Sequence, residues 1–187
     1  MGPQEDSKTL TRTSHLVQIE HVQVWTARPF SEVVRGLEAE TGVFDGAAIQ
    51  ARIEATAPPS AVIETIAAMV GRSGFMRFAA LDHGAILRVQ GKPTDAVRFL
   101  IGDPLTASRM TKLRIGSALY APLGLLVAAD ERGGADERGG TRLEYDQPST
   151  LFGQFEDPGA AKVGRELDGR LAALIQSVAG GVEGQVH

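Results

Sequence analysis

The chain has 187 residues, 43% of them hydrophobic and 22% charged, which suits one domain with an ordinary core. It contains no cysteine, so disulfides, thiolate metal sites and cysteine nucleophiles are excluded. Its net charge of −4 argues against nucleic acid, whose binders neutralise phosphates with a basic surface. No apolar run approaches the roughly 18 residues that a membrane span needs, so no membrane partner is expected. The opening MGPQEDSKTLTRTSH has no apolar stretch of the secretory kind, and a cytoplasmic location is expected.

Residues 1–13 are polar and patternless and read as a disordered leader. Residues 15–26 carry Val22 and Val24 in alternation with His21, Gln23 and Trp25, a strand signal. Pro29 opens a helix to about Glu40, with Phe30, Val33, Val34 and Leu37 on one face. Gly42 to Gly46 read as a turn, and 47–56 as a weak helix. Ser60 is the expected N-cap of a helix to Val70. Residues 75–81 read as a strand, and Asp82 caps a short helix over 83–90. Residues 95–101 are a further strand. Asp103 and Pro104 then start a helix toward Tyr120, with a break near Gly116.

Residues 122–129 and 141–146 pair as a late hairpin. On its second strand Leu143 and Tyr145 face one way, and Arg142, Glu144 and Asp146 the other. The LFGQF segment reads as a turn. Asp157 and Pro158 open the strongest helix, striped by Val163, Leu167, Leu171, Leu174, Ile175 and Val178. Residues 180–187 read as a flexible tail. The fold class is therefore α+β: a mixed, mostly antiparallel sheet of about five strands with helices packed on one face, in a single domain over 14–179.

Two repeats stand out. Residues 129–134, ADERGG, recur unchanged as 135–140; this tandem copy lengthens a hairpin tip and reads as a surface insertion. More weakly, Arg77, Phe78, Asp82 and Arg88 match Arg98, Phe99, Asp103 and Arg109 at an offset of 21. Each copy is a strand, a capping Asp and a helix.

The blocks FAALDHGAIL, RFLIGDPLTASRM, ALYAPLGLLVAAD, LEYDQPSTLFGQF and RELDGRLAALI, in that order, resemble the domain-of-unknown-function 302 family over roughly residues 20–178. The resemblance implies a small α+β domain, often self-associating, with no agreed activity; a homodimer is the expected partner arrangement. The family usually has Asn where this chain has Asp103. The added negative charge speaks against anion binding there.

Candidate site residues follow from chemistry. His83 beside Asp82 has the composition of a general-base pair, although Asp82 is better placed as a helix cap. Arg109 shares a helix face with Lys112 and could hold a carboxylate or phosphate. Tyr120, Tyr145 and Phe152, with Met110 near them, could line an apolar pocket with hydroxyl handles. Asp103 completes the ligand-binding candidates. His15 and His21 would lie about 20 Å apart on one strand, too far for one metal. No phosphate loop, dinucleotide fingerprint or zinc motif occurs, so no metal or cofactor is expected. The leading expectation is a non-catalytic, homodimeric module for a small apolar ligand. The alternatives are an enzyme using His83 as general acid or base, and a pure protein-interaction domain.

Overall fold

The computed structural model describes residues 10–130 and 140–180. Most of the expected leader and tail, and the body of the ADERGG duplication, lie outside these residues. The described elements are β1 (His21–Thr26), α1 (Phe30–Glu40), β2 (Gly42–Val43), α2 (Gly46–Glu54), α3 (Pro59–Ala67), β3 (Met76–Asp82) and α4 (His83–Val89). They continue with β4 (Ala96–Gly102), α5 (Pro104–Thr111), a 3-10 helix (Ile115–Tyr120), β5 (Leu123–Asp130), β6 (Gly140–Asp146), α6 (Pro148–Gly153) and α7 (Pro158–Ala179).

The strands form one six-stranded sheet in the order β1-β6-β5-β4-β3-β2. Only β2 runs parallel to its neighbour; every other pairing is antiparallel. The sheet thus has one strand more than expected. The extra strand lies in the segment read as a turn, where Gly42 N–H donates to the Phe75 carbonyl (2.9 Å) and Phe44 N–H to that of Arg77 (3.1 Å). Two residues are too few to show any periodicity. Gly42 is required here, because a Cβ would lie 1.7 Å from the Met69 carbonyl oxygen.

Alternation along the strands gives the sheet two unlike faces. Phe99, Ile101, Leu123, Leu125, Val127 and Leu143 are buried on one face. Against them pack Val33 and Leu37 of α1, Met110 of α5, Phe152 of α6 and the stripe of α7. The stripe positions, from Val163 to Val178, are all buried. Burying side chains of this size stabilises by about 1.5–3 kcal/mol each. The opposite face carries His21, Gln23, Trp25, Arg98, Gly124, Leu126, Arg142, Glu144 and Asp146, each exposed or half-buried.

Three aspartates start helices as expected. Asp82 accepts from Ala85 N–H (2.8 Å), Asp103 from Leu105 and Thr106 N–H (3.0 and 3.1 Å), and Asp157 from Gly159 and Ala160 N–H (2.9 and 3.1 Å). Ser60 is not a cap: α3 begins at Pro59 after Pro58, with no side-chain cap hydrogen bond. Pro59 takes the first helical position with its preset φ, which places Ser60 inside the first turn and not at the cap. β1 starts at His21; residues 10–20 have no regular structure. The helix after Asp103 stops at Thr111, earlier than expected, where Leu113 and Arg114 N–H share the Met110 carbonyl (2.9 Å each). The LFGQF segment begins inside a short helix, α6, and not a turn. The offset repeat corresponds to β3-α4 and β4-α5, whose strands are antiparallel neighbours.

Candidate functional site

The open face of the sheet holds a groove of about 610 Å³. Its floor is built by β4, β5 and β6, through Arg98, Gly124, Leu126 and Glu144. His83 at the start of α4, Leu119 and Tyr120 of the 3-10 helix, and Ile19 before β1 form its walls. The register explains the floor. Arg98 stands opposite Leu126, Leu126 opposite Glu144, and Glu144 opposite Gln23. One row across four strands is therefore cation, apolar, anion, amide.

Beside that row lies a charge cluster. His21 Nδ1 is 2.8 Å from Asp146 Oδ1, and His21 Nε2 is 3.1 Å from Glu144 Oε2. Glu144 also accepts from Gln23 Nε2 (2.7 Å) and from Arg142 Nε (2.7 Å). The hydrogen bond to Asp146, then that to Glu144, raises the His21 pKa above its ordinary value. Burial works to raise Glu144, but the hydrogen bonds from Gln23 and His21 and the charge of Arg142 outweigh it and hold that carboxyl low. When protonated, the imidazole donates from both nitrogens to carboxylates. Burial, followed by the charges of Asp168 and Glu20, pushes the Tyr145 phenol up.

Of the expected site residues, His83, Tyr120 and Tyr145 border this groove, but the Tyr145 side chain alternates to the core face with Leu143 and packs against the core. Tyr120 O–H donates to Gln154 Oε1 at 3.3 Å, and its ring meets Phe155 edge-on at 6.0 Å. Asp82 is occupied at the α4 cap and by Arg88 (3.2 Å). No hydrogen bond joins it to His83 among the described residues. Four candidates lie elsewhere. Met110 and Phe152 are 1% and 0% exposed in the core. Both Asp103 oxygens serve the α5 cap, with Thr106 O–H adding a third donor (2.6 Å). Arg109 forks onto Glu166 (2.7 and 3.1 Å), which raises the Arg109 pKa and lowers that of Glu166.

Sequence reasoning weighed His21 only as a metal ligand and did not assign Arg98, Glu144 or Asp146 to a site. The outward alternation of β6 carried part of the signal, but the β1–β6 register that joins His21 to both carboxylates is not written in either strand alone. Among the described residues no group of three or more His, Cys, Asp or Glu side chains could hold a metal ion. Nor is any helix long and apolar enough to cross a membrane.

A family model described as Domain of unknown function DUF302 matches residues 51–178. The fold is similar to a solved structure, the crystal structure of an uncharacterized conserved protein DUF302 from Bacillus stearothermophilus. The TM-score is 0.57 at 18% identity, over 84% of this chain and 97% of that one. At that identity the likeness is one of fold. No curated protein matches the chain.

Proposed function

The chain belongs to the DUF302 family, of unknown function, and from that premise we propose that it is a non-catalytic module binding a small molecule in the open-face groove. The observation that carries this reading is the His21 cluster. Polar groups do converge in the groove, but the imidazole spends both nitrogens on Asp146 and Glu144. His83, the other imidazole in the groove, lacks an orienting partner among the described residues. General-base catalysis needs a nitrogen that is both free and oriented. What remains is a half-apolar concavity with fixed polar groups, the usual make-up of a binding site.

The same proposal has the protein act as a cytoplasmic homodimer. Leu119 on the groove wall and Ile115 on the same 3-10 helix are 82% and 78% exposed, an apolar rim that a second copy would cover.

The test uses the neutral fluorophore N-phenyl-1-naphthylamine with the full chain. Its emission rises on binding to the wild type. The rise is lost in Leu126→Lys and in the rim variant Leu119→Lys, and is kept in Ile53→Lys on the distant α2. Circular dichroism checks that each variant folds. An unchanged signal in both groove variants would overturn the reading. A native mass spectrum of the same preparation reads the assembly, and a purely monomeric spectrum removes the homodimer.

A further inference from the structure

Arg98 is the one groove cation that no described residue neutralises. It stands on β4 between Leu81 of β3 and Leu126 of β5, so its cross-strand neighbours are both apolar. The nearby carboxylates are committed elsewhere. Glu144 accepts from Arg142, Gln23 and His21, and Asp146 pairs with His21. Among the described residues Arg98 has neither a hydrogen bond nor an ion pair.

Gly124 leaves room for the guanidinium. A Cβ on Gly124 would lie 2.9 Å from Arg98 Nη2, 3.0 Å from Nε and 3.4 Å from Cζ. The planar ion therefore lies over the β5 backbone, in space that any other residue at 124 would occupy. From there it borders the floor shared with Leu126, Pro122, Leu119 and Tyr120.

We propose that Arg98 is the anchor for the ligand's head group, and that the ligand is a small organic carboxylate with an apolar body. This rests on the groove being a binding site. A guanidinium presents paired N–H donors that match a carboxylate. The surrounding Leu119, Pro122, Leu126 and Tyr120 favour a hydrocarbon or aromatic body over a bare inorganic anion. Glu144 and Asp146 in the same groove disfavour a second negative charge on the ligand.

The probes are 4-phenylbutyrate and its uncharged analogue 4-phenylbutanol, titrated into the isotope-labelled full chain at low salt and followed by amide resonances of the groove. The carboxylate is expected to bind about tenfold more tightly than the alcohol, the size of one charge-assisted hydrogen-bond pair. In Arg98→Gln the two compounds bind alike. Gly124→Ala keeps the charge but puts a methyl group where the guanidinium lies, and the preference falls. Equal binding of acid and alcohol to the wild type, or a preference that survives Arg98→Gln, overturns the anchor and leaves the groove standing as a binding site. If neither compound shifts the groove resonances, the groove and its anchor fall together.

Discussion

His21 links two carboxylates on β6 to the edge strand β1, and its protonation state governs that link. Its folded pKa is raised by the hydrogen bonds to Asp146 and Glu144. Its contribution to stability is therefore complete below the unfolded value of about 6.5 and fades as pH rises through the folded pKa. Glu144 has the opposite sign: its pKa is lowered, so its contribution is present above the ordinary value and is lost as pH falls through the folded pKa. The two together favour a mildly acidic window. The melting temperatures of wild type and His21→Gln should differ most below the unfolded value of about 6.5 and converge as pH rises through the folded value; a gap independent of pH would dismiss the link. Asp103 is a second residue with a separable effect. Three donors converge on its carboxylate, and Asp103→Ala should cost about 1 kcal/mol in chemical denaturation. No measurable loss would show the cap to be idle. That cap was legible in the Asp-Pro step itself, as was the one at Asp157, while Asp82 was legible as an Asp between a strand and a short helix. The His21 cluster was not, because it depends on which residues the register sets side by side.

At the scale of elements, the long segments were legible and the short ones were not. The period of α7 and the alternation of β6 name their buried faces from sequence, whereas β5, apolar almost throughout, does not. A two-residue strand such as β2 has no period to read, and its place depends on the contact of Gly42 with the chain at Met69 and Gly71. The end of α5 was misplaced for a related reason, since the turn at Met110 is a matter of hydrogen bonding and not of composition. The β5–β6 hairpin allows a direct test of the duplication. Asp130 pairs with Gly140, and residues 131–139 join them. Deleting 135–140 removes one copy of ADERGG and leaves Gly134 before Thr141 in the place of Gly140. Closing the shorter loop is easier by about 1 kcal/mol, so the melting temperature should stay level or rise slightly in calorimetry. A fall of several degrees would mean that the second copy makes contacts the fold needs.

At the scale of the whole molecule, the packing is one-sided: α1, α5, α6 and α7 cover one face of the sheet, and the groove occupies the other. Fold class followed from the order of strands and helices, but the location of the site did not. Candidates such as Phe152, Met110 and Arg109 carry the same residue chemistry whether they face the core, another helix or solvent. Only the assembled sheet separates them from His83 and Tyr120 at the groove. The one-sidedness also has a consequence in time. Among the described residues no helix crosses the groove, so under the proposed function an arriving molecule would wait for no helical lid, whose opening elsewhere takes microseconds to milliseconds. Residence would then be set by affinity, and occupancy would follow the surrounding concentration from moment to moment. On that reading the module would keep no record of past exposure and would report the present supply of its ligand.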